Sequence, residues 1–182
     1  MQDDTDLKLQ QAPVPADRFD LRALRPSDAG LLEMYFADQR VAHMVRDVPH
    51  PLPPGMVDAL LRRADAHDRE EDFWAIDGSK TNHAEVLGLV TLKRLDRQQS
   101  EIAYWVAPAF WNTGIASEAV QAMVRANPQG ACDMYGEVFQ DNPTSARVLT
   151  NAGFAYLGDA EAYCLSRNTV VPTWTYARKM GT

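Results

Sequence analysis

Between residues 85 and 139 the spacing of apolar side chains changes period twice, and this double switch limits the folds open to the chain more than any other feature. Residues 85–93 and 100–106 alternate in the two-residue rhythm of strands, with a polar turn at residues 95–99 between them. Residues 115–126 then place Ile115, Ala119 and Met123 on one stripe, with Ala116, Val120 and Val124 beside it, which is helical spacing. Residues 132–139 return to strand. A strand, a helix and a second strand imply a crossover that lays the two strands parallel, whereas the short turn before them implies an antiparallel pair. One mixed sheet must hold both.

The flanking segments extend this sheet. Residues 72–76 add a third strand to the antiparallel meander, through the turn Asp77-Gly78-Ser79. Upstream, residues 19–24 form a short strand, and Pro26-Ser27-Asp28 starts a helix that turns Leu31, Leu32, Tyr35 and Phe36 inward. Residues 41–48 are amphipathic without a clear period. The proline cluster at residues 49–55 must be a loop, and residues 56–68 form a helix with Val57, Leu60, Leu61 and Ala64 on one face. Residues 143–152 form a helix stopped by Gly153, and residues 154–180 supply two or three more strands. The fold class is α/β (α+β), a single domain over residues 18–182 with helices on both faces of a mixed sheet. Residues 1–17 are polar, carry Pro13 and Pro15, and read as an N-terminal extension held by a contact within the chain or across a homodimer.

Charge narrows the partners. Eighteen Lys plus Arg against twenty-five Asp plus Glu give a net charge of -7, the wrong sign for nucleic acid or an anionic membrane as main partner. The acidic start is unlike a secretory signal. The longest nearly apolar run, residues 103–111, is too short for a membrane span and is broken by Pro108. Two cysteines, Cys132 and Cys164, suggest buried free thiols and a cytoplasmic location. His43, His50, His67 and His83 show no metal-ligand spacing, so no metal is expected. The four tryptophans read as core or pocket-wall residues, since aromatic platforms for bases would lack a basic groove.

The chemistry concentrates in residues 104–119. A strand ends at Val106, a turn follows, and a helix opens near Gly114, so unpaired amides converge where the helix dipole is positive. Gly114 lets the backbone approach a pyrophosphate, and the small Ala116 and Ser117 leave room for it. Taken alone, Gly114 is better explained as relieving a turn before an ordinary helix. A second motif follows at residues 137–154, where Asn142-Pro143-Thr144-Ser145 opens a helix that closes on Gly153-Phe154.

In this order the two motifs resemble the GNAT family of acyl-CoA N-acyltransferases, and within it the RimJ/RimL-type branch of ribosomal-protein N-terminal acetyltransferases. The resemblance covers residues 19–180. The family's cofactor loop is commonly Arg/Gln-x-x-Gly-x-Gly/Ala, and Trp111-Asn112-Thr113-Gly114-Ile115-Ala116 followed by Ser117 matches its second half. Trp111 stands in place of the basic or amide residue, which leaves backbone amides and the Thr113 and Ser117 hydroxyls to hold phosphate. The resemblance implies acetyl-CoA as cosubstrate, without metal, and an amine acceptor. Trp105 and Val106 would then lie along the pantetheine arm on a strand that diverges from residues 133–139, and a backbone N–H near Val106 would polarise the thioester carbonyl.

Individual residues keep alternatives. Asn142 serves as a helix cap, as a CoA contact, or both. Ser145 either bonds locally to the backbone or, as in the family, gives a proton to the departing thiolate. Glu137 shares a strand face with Tyr135 and Phe139, where a dry aromatic setting would make it a base, or it is a solvated carboxylate. Glu101 and Glu161 are the other candidate bases. Gly136 marks a bulge or a packing concession. The tyrosine that some members carry later in the helix is replaced here by Leu149. The implied activity is acetyl transfer to a peptide N-terminus or a small amine by direct attack in a ternary complex; the alternative is a weak or inactive CoA-binding or interaction module.

Overall fold

A computed structural model describes residues 11–181. Its strands are β1 (Val14–Pro15), β2 (Asp20–Ala23), β3 (Glu71–Asp77), β4 (Gly88–Leu95), β5 (Gln99–Val106), β6 (Asp133–Phe139), β7 (Ala155–Cys164) and β8 (Thr169–Lys179). They form one sheet in the order β1-β2-β3-β4-β5-β6-β8-β7, antiparallel throughout except for the β5/β6 pair. The helices are α1 (Ala29–Ala37), α2 (Gln39–Ala42), α3 (Met56–Asp65), α4 (Ile115–Ala126) and α5 (Pro143–Asn151). Helix α4 is the crossover between β5 and β6 that the change of period demanded.

Strand pleating divides the core in two. Leu21, Ile76, Val90, Leu92, Ile102 and Met134 face α4 and α5, where Ala119, Met123 and Leu149 cover them. Ala75, Leu89 and Trp105 face the other way, under Leu32, Phe36, Val41 and Val57 of α1 to α3. A single sheet with both faces covered explains why residues 88–90 of β4 are buried in succession, before the strand turns polar at Lys93.

Three segments differ from expectation. Helix α3 stops at Asp65, with Ala66 already extended. The chain turns there so that Arg69 can donate to the Ala66 carbonyl at 3.2 Å and to Asp72 at 2.6 Å. Cys132 is exposed while Cys164 is buried, because residue 132 precedes β6 and its amide bonds to the Gln98 carbonyl at the sheet margin, 2.7 Å away. Of the polar N-terminal stretch, residues 1–10 lie outside the described residues. Residues 11–17 are held within the chain: Val14 pairs with Leu21 and is buried, Gln11 donates to the Phe73 carbonyl at 2.6 Å, and Trp74 donates to the Ala12 carbonyl at 3.3 Å. Among the described residues no helix is long and apolar enough to cross a membrane.

Candidate active site

The site begins where two strands part. β5 and β6 pair over four rungs, from Gln99↔Asp133 to Ile102↔Gly136; beyond them β5 pairs only with β4, and β6 only with β8. Helix α5 lies close against this point. A Cβ on Gly136 would sit 2.8 Å from Leu149 Cδ1, with the β6/β8 register unbroken, so Gly136 is a packing concession and not a bulge. The helix brings Ser145 to Tyr104. The Tyr104 hydroxyl donates to the Ser145 carbonyl at 2.7 Å and accepts from Ser145 Oγ at 3.1 Å. Burial pushes the Tyr104 phenol well above its ordinary pKa, although its hydrogen bond with Ser145 opposes the rise. It therefore stays a neutral donor.

Glu137 is the first β6 residue past the parallel ladder. It points to the α1–α3 side, into a cleft of about 280 Å³ that also reaches Glu101, Trp105, Asn142 and Ser145. Its hydrogen-bond partner there is cationic. Arg46, from the loop after α2, donates to Glu137 at 3.1 Å and to Glu101 at 3.0 Å. Burial works against the Arg46 charge, but Glu101 and Glu137 outweigh it and raise its pKa. Beside the aromatic Phe139 and Trp105 that line the same cleft, Glu137 thus carries an ion pair, a third setting besides the two open from sequence. Glu161 is not brought here: it is exposed on the edge strand β7, opposite Pro172, on the other face of the sheet.

Arg46 does not hang free. The turn between β7 and β8 grips its segment, with Leu165 N donating to the Arg46 carbonyl at 3.0 Å, Ser166 Oγ to Ala42 at 2.9 Å and Arg167 to His43 at 2.7 Å. Arg167 also pairs with Asp141, just ahead of α5. One turn thereby ties the Arg46 loop to the helix that carries Ser145.

The loop at residues 111–117 stands at the far end of β5 and does not line the cleft. Trp111 is partly exposed, neither core nor cleft wall, and donates from Nε1 to the Val106 carbonyl at 2.7 Å. Asn112 and Gly114 adopt left-handed φ values of 60° and 77°, and α4 begins at Ile115, so the first-turn amides of Ile115, Ala116 and Ser117 face out along its axis. The Thr113 hydroxyl donates back to the Phe110 carbonyl at 2.5 Å and closes the turn instead of pointing outward. The basic residue that the loop lacks arrives from elsewhere: Arg18 donates to the Thr113 carbonyl at 2.8 Å and to Glu118 at 3.3 Å, and the Arg40 guanidinium lies 5.9 Å from the Trp111 ring centre. Asn142 caps α5, its side chain accepting from Ser145 N at 3.3 Å. Arg46 and Arg18 are the residues that sequence reasoning missed, since no local pattern connects either to its partners. Among the described residues no group of His, Cys, Asp and Glu is placed to hold a metal ion.

A sheet opened between two parallel strands, with an anion-compatible helix start at one end of the gap and paired carboxylates at the other, is the architecture of an acyltransferase. The family model described as "Acetyltransferase (GNAT) domain" matches residues 18–155, and the chain belongs to that family. It is 29% identical over 108 residues to the uncharacterized N-acetyltransferase YoaA of Bacillus subtilis (strain 168), a match that spans 57% of this chain and 60% of that protein. Its fold is similar to that of the ribosomal-protein-S5-alanine acetyltransferase of Vibrio fischeri (TM-score 0.76, 18% identity, 93% of this chain and 97% of that one). It is also similar to the spermidine N-acetyltransferase of Vibrio cholerae in complex with CoA and spermine (TM-score 0.74, 16% identity, 90% of this chain and 96% of that one).

Proposed function

We propose that the chain moves an acetyl group from acetyl-CoA to a primary amine by direct attack in a ternary complex, as a RimJ/RimL-type enzyme of the cytoplasm. One observation carries the reading: the gap between β5 and β6 has the Glu137 carboxylate on one side and the Ser145 hydroxyl on the other. Acetyl-CoA would supply an activated acetyl thioester and a thiol leaving group. The residues present fit such an anionic cosubstrate. The amides of Ile115, Ala116 and Ser117 and the Arg18 guanidinium offer donors and positive charge beside Gly114, where only Arg18 Nη2 lies within 4 Å of an added Cβ. Trp111, bonded to the Val106 carbonyl at 2.7 Å, and Asn112 would flank the cosubstrate between that loop and the gap.

In the gap, Glu137 takes the proton of the incoming ammonium, directly or through water, so that the amine can act as nucleophile. Glu101, one rung inside the ladder, is the less advanced of the two carboxylates. Ser145 Oγ–H, which donates to the Tyr104 oxygen at 3.1 Å, would turn its one proton to the leaving thiolate and take a replacement from solvent, with Tyr104 holding the hydroxyl in place until then. Trp105 and the α1–α3 side form one wall of this gap. The solved neighbours act on a ribosomal-protein alanine and on spermidine, so the fold leaves the acceptor open.

The test is thiol release from acetyl-CoA with a panel of primary amines. The expected result is turnover that Glu137→Gln lowers by about a hundredfold while calorimetric acetyl-CoA affinity is unchanged. Acetyl-CoA binding without thiol release for any amine overturns the enzymatic reading in favour of a binding module.

A further inference from the structure

We propose that Arg46 sets the net charge of the acceptor cleft and thereby makes the protein select singly charged, apolar primary amines over diamines and polyamines; this rests on the acetyl-transfer reading above. The cleft is lined by four carboxylates, Asp47, Glu71, Glu101 and Glu137, and by three cations, Arg46, Arg63 and Lys93. Most of these charges already answer one another. Lys93 lies directly across the strands from both Glu71 and Glu101, Arg46 bridges Glu101 and Glu137, and the Arg63 guanidinium packs 5.6 Å from the Phe73 ring centre. Four against three leaves one negative charge, which a single ammonium neutralises.

The rest of the cleft is unsuited to a second ammonium. Its walls include Phe36, Met56, Leu60, Phe73 and Trp105, which favour an apolar body and offer a further cation little solvation. The cleft also holds a polar group without a protein partner. Thr173 Oγ1 is the buried side-chain atom among the described residues that has no hydrogen bond. It lies on the Glu137 face of the sheet, opposite Phe139, where a ligand atom can complete the bond that buried hydroxyls ordinarily make.

Arg46 cannot simply yield its place to a substrate cation. The hydrogen bonds from the β7–β8 turn to Ala42, His43 and Arg46 fix its main chain, and Glu101 and Glu137 hold its guanidinium between them. Taking that charge away makes the balance two negative and converts the cleft into one that accepts a dication.

The experiment compares two acceptors of similar length on the full chain with acetyl-CoA, 3-methylbutylamine and 1,5-diaminopentane, by kcat/KM from thiol release and by calorimetric Kd. The wild type should prefer the monoamine by about tenfold or more, because the second ammonium gives up hydration without meeting an uncompensated carboxylate. Arg46→Gln should erase or invert the preference through the KM of the diamine, and Arg46→Lys should restore it. A wild type that takes the diamine as well as the monoamine overturns the proposal without needing either variant to fold, as does an Arg46→Gln protein with an unchanged ratio. Monoamine-selective binding without transfer upholds the charge selection and overturns the acetyl-transfer reading instead; binding of neither amine overturns both.

Discussion

Tyr104→Phe isolates the contact that joins the two halves of the site. The ring stays, so no cavity opens, and only the hydroxyl that donates to the Ser145 carbonyl at 2.7 Å and accepts from Ser145 Oγ at 3.1 Å is removed. Two neutral hydrogen bonds are each worth about 1 kcal/mol net, and removing a buried hydroxyl returns part of its desolvation cost, so the loss comes to about 1–2 kcal/mol. For a chain of this size that lowers Tm by roughly 2–8 °C. The Ser145 carbonyl lies inside α5 and keeps a helical donor, but Ser145 Oγ loses its acceptor and can turn to the helix backbone. We expect kcat to fall by about tenfold at unchanged KM, in keeping with a misplaced proton donor. Burial holds the Tyr104 phenol above its ordinary pKa, so the deficit should be the same from neutral to mildly alkaline pH. Ser145→Ala should remove most of the same effect, with the double variant no worse than the worse single one. A Tyr104→Phe protein with wild-type Tm and kcat would refute the role given to this pair.

Three further outcomes follow from the geometry. Asp72 is held by Arg69 and Arg94, each at 2.6 Å, and by Gln129 at 3.0 Å; burial alone would push its carboxyl up, yet these bonds outweigh it and hold it below the ordinary value. A depressed folded-state pKa contributes stability above the unfolded value of about 3.9 that is lost as pH falls through the folded one. Asp72→Asn should therefore cost about 3 kcal/mol at neutral pH and flatten the acid limb of a denaturation series. Gly88→Ala would set a Cβ 2.1 Å from the Trp105 carbonyl oxygen and 2.9 Å from Val106 Cα; it should destabilise by about 3 kcal/mol and raise KM for acetyl-CoA by displacing the free stretch of β5, both checked on one preparation by urea titration and kinetics. Arg18→Ala, at a half-exposed site, should weaken acetyl-CoA binding by about three- to tenfold at low salt and less at high salt, measured by calorimetry at two ionic strengths.

The fold was legible where local spacing decides it. The stripe of Ile115, Ala119 and Met123 marks α4 to the residue, and the helical crossover requires the parallel β5/β6 pair. The end of α3 was not legible, because Ala66 leaves the helix to satisfy Arg69 and Asp72, a contact with β3 that no helical propensity encodes. The order β6-β8-β7 depends on which strand of the last hairpin reaches β6, and both strands alternate well enough to do so. Cys132 was misjudged for a similar reason. Its exposure follows from a sheet margin that only the assembled pairing defines.

The site shows the same division more sharply. Glu137, Asn142, Ser145 and Gly114 sit on motifs whose residues are neighbours in sequence, and local pattern is enough to single them out as candidates. Arg46 is 91 residues from Glu137 and 55 from Glu101, and Arg18 is 95 from Thr113. Contacts at such separations leave no periodic trace. Their consequence is more than positional. From sequence, the loss of a basic residue at Trp111 leaves anion binding to backbone amides and the Thr113 and Ser117 hydroxyls, and Glu137 is either set among aromatics or solvated. In the fold, a cation from a distant loop stands at each of these places: Arg18 beside the start of α4, and Arg46 between the two carboxylates. The overall acidity of the chain therefore predicts neither local field. At the loop, Arg18 brings positive charge to a helix start that is already positive, whereas in the cleft Arg46 reduces the negative charge instead of creating a positive site. A chain with a net charge of -7 can thus present an anion-compatible end and a weakly cation-compatible end along one gap, which is the polarity that an anionic acyl donor and an ammonium acceptor require if they are to meet from opposite sides.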